Sequence, residues 1–181
     1  ITLYPGDADT TEELMRNADH AMYRSKAAGR NQLTFFEASM QEAAMRRLKL
    51  TSDLRHAQAD KQLELHFQPI IDIATGGVHK AEALLRWRRP DGALSLPAEF
   101  VGIAEETGLI HESGDWVFRE AAHWSQRWSG MLGRPFQVSI NKSPVQFQPH
   151  ADEMDWVSYL VKAGMPHNSI AVEITEGLLL N

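Results

Sequence analysis

Glu82-Ala83-Leu84-Leu85-Arg86-Trp87 places a carboxylate and a guanidinium on one face of an otherwise apolar strand. Side chains alternate along an extended chain, so Glu82, Leu84 and Arg86 share one side while Ala83, Leu85 and Trp87 share the other. Opposite charges inside a sheet are expensive to bury unless a metal, a phosphate or each other compensates them. This stretch therefore reads either as a structural ion pair or as a candidate site.

Outward from it the chain alternates between strands and helices. Leu63 to Ile73 reads as a strand, Ala74-Thr75-Gly76-Gly77 as a turn, and Val78 to Trp87 as the second arm of a hairpin. Pro97 suits the first turn of a helix that Gly108 closes, and Trp116 to Trp128 carries apolar or small residues at helical spacing. Trp124 and Trp128 are expected as core anchors. Phe136 to Ile140, Met154 to Ala163 and Ile170 to Thr175 continue as strand, helix and strand, the α/β alternation.

Ahead of the hairpin, Ile1 to Tyr4 reads as the end of a strand. Thr10 and Glu13 form a capping box for a helix with the stripe Leu14, Ala18, Ala21 and Met22, which Gly29 ends. Leu33 to Phe36 alternates as a short strand. Ser39 to about Gln58 is a charged helix with Met40, Ala44 and Leu48 at four-residue spacing, expected as a connector.

Composition bounds the function. The 181 residues are 43% hydrophobic, enough for a packed core, and the net charge of −6 opposes broad attachment to nucleic acid. The chain has no cysteine, which excludes disulfides and thiolate metal sites and agrees with a cytoplasmic setting. No run of about 18 apolar residues offers a membrane span, although an anchor elsewhere in a longer parent is compatible with this.

The company of the opening stretch gives it a family. With Gln68-Pro69-Ile70, Pro97-Ala98-Glu99-Phe100, Ala104-Glu105-Glu106-Thr107-Gly108-Leu109-Ile110, Ser139-Ile140-Asn141-Lys142-Ser143 and Glu173-Ile174-Thr175-Glu176, the chain resembles the EAL family of cyclic di-GMP phosphodiesterases. Residues 1–37 resemble the closing segment of a GGDEF, or diguanylate cyclase, domain through Ile1-Thr2-Leu3-Tyr4-Pro5, Asn17-Ala18-Asp19-His20-Ala21-Met22-Tyr23 and Lys26-Ala27-Ala28-Gly29-Arg30-Asn31. The expected organisation is a GGDEF remnant over 1–37, a connector helix over 38–58 and the N-terminal part of an EAL domain over 59–181, a piece of a tandem GGDEF–EAL protein.

The resemblance implies a partial TIM-type (β/α) barrel whose first strand runs against the others. It makes Glu82, Asn141 and Glu173 metal ligands at the C-terminal ends of successive strands. Two carboxylates and an amide oxygen form a hard donor set suited to Mg²⁺ or Mn²⁺. It makes Gln68 and Arg86 substrate contacts, the guanidinium gripping a phosphodiester. Glu82, Glu173 and Glu176 are the catalytic candidates, with Glu176 in a supporting role. Asn141 alone would read as a turn-capping amide; for Lys26 and Arg30 the resemblance implies phosphate contacts in the cyclase half, and the residues alone read at least as well as an exposed basic helix end.

The implied activity is metal-dependent hydrolysis of cyclic di-GMP to linear pGpG by the parent. These 181 residues alone are expected to be inactive, because the family's paired aspartates, water-orienting lysine and further glutamate are not among them. The competing class is a receptor that holds cyclic di-GMP without cutting it. An unrelated metal-dependent barrel hydrolase would require all the motif matches to be accidental. A half barrel has open strand edges, so a homodimer or an element-swapped oligomer is expected.

Overall fold

The computed structural model describes residues 1–149 and 154–174. The chain divides into two compact units, Ile1–Ser52 and Asp53–Asn181.

In the first unit, α1 spans Thr11–Ala27 behind the capping box the sequence predicts: the Thr10 hydroxyl accepts from the Glu13 amide at 3.2 Å and the Glu13 carboxylate accepts from the Thr10 amide at 3.2 Å. Ala28 caps its C-terminus, and Gly29 follows at φ 101°. Ala21 faces the interior, whereas Met22 is half exposed. Two expected strands are absent. Ile1 exchanges backbone hydrogen bonds with Thr34 and Phe36, but this contact does not extend into a ladder, so 1–4 and 33–36 remain irregular. Helix α2 spans Ala38–Ala57, and the boundary between the units falls inside it.

The second unit is a mixed sheet covered on one face by helices. Strand β1 (Leu63–Ile71) pairs antiparallel with β2 (Val78–Arg88), which also pairs with the two-residue β3 (Leu94–Ser95). Strand β4 (Gln137–Lys142) lies parallel to β2, and β5 (Ile170–Ile174) parallel to β4, giving the path β1-β2-β4-β5. The first strand thus runs against β2, β4 and β5, as expected, while the short β3 runs with it.

Helix α3 (Pro97–Thr107) begins on its proline and ends at Gly108, φ 77°. Helix α4 (Leu109–Leu132) is longer than the predicted Trp116–Trp128, because Gly108 is a hinge between two helices and not a loop. A 3₁₀ turn (Pro144–Phe147) follows β4, and α5 (Trp156–Lys162) precedes β5. The sequence reading missed both β3 and this turn.

Alternation builds the core. Ala81, Ala83 and Trp87 of β2 and Val138 and Ile140 of β4 are buried on the helix side. Ala81, Ala83, Val138 and Ile140 form one cluster with Val117, Phe118, Ala121 and Ala122 of α4. Small residues on both surfaces let helix and sheet approach closely, and the four-residue step from Val117 to Ala121 keeps one stripe facing inward. Trp128 packs against this cluster, its ring 4.8 Å from Phe67, and Trp124 lies 5.7 Å from Phe67; both are half buried.

A left-handed backbone at Gly108 costs any residue with a Cβ roughly 1–2 kcal/mol. Gly108→Ala is therefore expected to lower stability by about 1 kcal/mol, read as a shift in urea midpoint. No change would mean that the α3–α4 hinge tolerates another backbone conformation.

Candidate active site

The face of the sheet opposite the α4 helix carries the polar side chains. Cross-strand register sets Gln68 beside Glu82 and Glu82 beside Ser139, while Asn141 lies beside Glu173. Residues directly opposite one another project to the same side. Gln68, Glu82 and Ser139 therefore form one row; His66 pairs with Leu84 across β1 and β2, and Asn141 with Glu173 across β4 and β5. Glu64 and Arg86 form a further pair.

The row and the Asn141–Glu173 pair meet in one contact: Asn141 Nδ2 donates to Glu82 Oε1 at 2.8 Å, bridging 59 residues of sequence. Glu173 stands beside Asn141 on β5. The structure thus brings three of the predicted site residues onto adjoining positions, two of them in direct contact. Glu176 lies outside the described residues.

Two features differ from expectation. The charges on β2 are not buried: Glu82 and Arg86 are half exposed, and Gln68, Asn141 and Glu173 are exposed. Nor is Glu82 at a strand end. Strand β2 runs on to Arg88 because β1 and β3 pair with it beyond the last β2–β4 pair, Ala83 with Ile140, so Glu82 lies one residue before the end of the β2–β4 pairing and well inside β2.

Among the described residues no ion pair joins Glu82 to Arg86. Glu64, across from Arg86, is engaged instead by Arg88, whose Nη2 donates to its Oε2 at 3.2 Å, and by His66 at 3.3 Å. Arg86 Nη1 donates to the Leu85 carbonyl oxygen at 2.8 Å. A guanidinium has five N–H donors, so its capacity to grip an anion is retained.

The Arg88 guanidinium, followed by His66, holds the Glu64 carboxyl below its ordinary pKa. A depressed carboxylate contributes stability above the unfolded pKa and loses it as pH falls through the folded value. The pair is partly exposed and screened, so the effect is small. The stability difference between the natural chain and Glu64→Gln should shrink as pH drops from 6 to 3 in thermal melts. A difference independent of pH would contradict the pairing.

The donor set is chemically coherent for a hard cation: two carboxylates and an amide whose Oδ1 is the atom left for coordination when Nδ2 faces Glu82. Among the described residues no group of three or more His, Cys, Asp or Glu side chains is placed to hold a metal, so a cation here would draw on the asparagine. Sequence reasoning left three neighbours without a role. Ser139 is 6% exposed, with its hydroxyl unpartnered among the described residues. Ser143 and Glu105 are joined by a 2.6 Å hydrogen bond at the end of β4. Only the face of Ser139, shared with Asn141 two residues on, was readable from alternation; its burial was not.

A mixed α/β sheet led by an antiparallel strand, with acidic and amide side chains converging on the face away from the α4 helix, defines the class. The EAL domain family model matches residues 51–181, and the chain belongs to this family. Over 177 residues it is 41% identical to the bifunctional diguanylate cyclase/cyclic di-GMP phosphodiesterase MucR of Pseudomonas aeruginosa, covering 97% of this chain and 26% of that protein. It is 38% identical over 182 residues to the cyclic di-GMP phosphodiesterase NbdA of the same organism, covering 99% of this chain and 23% of that protein.

The chain therefore spans about a quarter of the length of these curated relatives. Among solved structures, the PaMucR phosphodiesterase in complex with c-di-GMP superimposes with a TM-score of 0.67 at 34% identity, over 74% of this chain and 54% of that one. Among the described residues no helix is long and apolar enough to cross a membrane.

Proposed function

We propose that residues 59–181 are the N-terminal part of an EAL domain that, in the intact parent protein, hydrolyses cyclic di-GMP to linear pGpG with Mg²⁺ or Mn²⁺. The observation that carries this reading is the Asn141–Glu82 hydrogen bond with Glu173 at the adjoining register position. These oxygens would hold the cation, with Glu176 in support. When bound, a divalent ion supplies positive charge at the phosphate and lowers the pKa of an attacking water. Arg86 presents its forked donors to the phosphodiester, and Gln68, beside Glu82, offers an amide to orient the ligand. Opening one phosphodiester bond adds water across it and leaves a ribose hydroxyl, the linear dinucleotide.

Within the same proposal, residues 1–37 are the end of a GGDEF domain and 38–58 a connector helix. The alignment to a bifunctional cyclase/phosphodiesterase over 97% of the chain supports this. The sheet is the beginning of a TIM-type barrel, and the 181 residues alone do not turn over substrate, because the family's remaining catalytic groups lie outside them. Strands β1 and β5 each pair on one side among the described residues. A second copy covers such edges, as a homodimer or by exchange of elements. The segment works in the cytoplasm without contacting DNA, RNA or membrane, even where the parent is anchored elsewhere.

Incubating the full-length protein with cyclic di-GMP and Mg²⁺ or Mn²⁺ tests the reading, with chromatographic detection of pGpG as the expected result. Tight binding of cyclic di-GMP without any pGpG would replace it with the receptor reading.

A further inference from the structure

Asn141 is the next-to-last residue of an exposed strand end, and the hydrogen bond to Glu82 is a light constraint for a residue that must present an amide oxygen in a fixed direction. The backbone immediately after it is held far more firmly. Lys142 lies 4.3 Å over the Trp156 ring and 4.7 Å over the Phe147 ring, and Trp156 is itself fixed by an Nε1 hydrogen bond to Asp115 at 2.7 Å. The Ser143 hydroxyl donates to Glu105 Oε1 at 2.6 Å and accepts from the Val145 amide at 3.2 Å. The Ser143 amide donates to Gln146 Oε1 at 3.0 Å. Gln146 is 5% exposed and lies so close to Gly114 of α4 that a Cβ there would come within 1.8 Å of its Nε2.

Glu105 is the unusual member. It sits in the last turn of α3, where the helix dipole disfavours a carboxylate, and it is half buried. Its side chain reaches the end of β4 in a short, charge-assisted hydrogen bond. We infer that Glu105 and Ser143 are positioning residues for Asn141: they tie the end of β4 to α3 and so fix the direction in which Asn141 offers its oxygen to a divalent cation. The inference rests on the proposed cation site and extends it to two residues that touch neither cation nor substrate.

The test is direct Mn²⁺ titration of the full-length protein by electron paramagnetic resonance, without substrate, on the parent, Asn141→Ala, Ser143→Ala, Glu105→Ala and Glu105→Gln. Near-UV circular dichroism checks that each variant is folded. Removing a group that orients a metal ligand weakens binding by about 10–100-fold, so Ser143→Ala and Glu105→Ala should each weaken Mn²⁺ about tenfold. Glu105→Gln keeps the acceptor oxygen and should stay within about threefold of the parent. A role confined to stability would not separate Gln from Ala in this readout.

Mn²⁺ affinity within about twofold of the parent in Ser143→Ala and Glu105→Ala, with Asn141→Ala clearly weakened, overturns the inference and leaves the cation site standing. An unchanged Asn141→Ala overturns both. Should Ser143→Ala not fold, the Glu105 pair decides: equal tenfold weakening of the Ala and Gln variants would assign the effect to charge and overturn the positioning role.

Discussion

Glu82→Gln in the full-length protein is expected to reduce cyclic di-GMP hydrolysis by at least about a hundredfold while leaving the fold intact. Gln keeps the length of the side chain and an Oε1 that accepts from Asn141 Nδ2, so the 2.8 Å contact survives. What it loses is the negative charge that balances a divalent cation. A bound cation is worth several kcal/mol of transition-state stabilisation, and each 1.36 kcal/mol is a factor of ten in rate. The measurement is pGpG formed per unit time at saturating substrate. Turnover within about threefold of the parent would remove Glu82 from the chemistry.

Trp87→Ala should cost about 3–5 kcal/mol of stability, the range for truncating a large buried aromatic. Trp87 is 0% exposed on the helix side of β2, and its ring lies edge-on to Phe100 at 5.7 Å. Its Nε1 donates to Gln62 Oε1 at 3.1 Å, so truncation both opens a cavity and strands a polar atom. Trp87→Phe should recover part of the packing and none of the hydrogen bond, falling in between. Urea unfolding followed by circular dichroism measures both, and a loss below about 1 kcal/mol for the alanine variant would show that the α3–β2 contact collapses without penalty.

These two residues mark what was legible in the letters. Strict alternation assigned Trp87 to one face and Glu82 to the other, and both assignments hold. The hairpin, the Pro97 helix start, the Gly108 end and the Thr10 capping box were readable because each depends on a local backbone preference. The strands at 1–4 and 33–36 were misread because alternation cannot tell whether a partner continues the ladder. Helix α4 was read short because its first turn follows Gly108 directly, with no polar cap to announce it.

The site was legible residue by residue and not in its surroundings. The Asn141–Glu82 contact depends on how far β4 pairs along β2, a property of register that spacing does not contain. Arg86 standing apart from Glu64 depends on Arg88 reaching that carboxylate first. The Glu105–Ser143 link joins residues 38 positions apart in sequence, through a helix packed against a strand end.

Whether Glu82, Asn141 and Glu173 share one divalent ion is tested most directly by anomalous diffraction from Mn²⁺-loaded crystals of the full-length protein. An anomalous peak is expected within coordinating distance of the Glu82 carboxylate and Asn141 Oδ1, with Glu173 at its edge. Manganese bound elsewhere, with these three side chains left without an ion between them, would contradict the shared site.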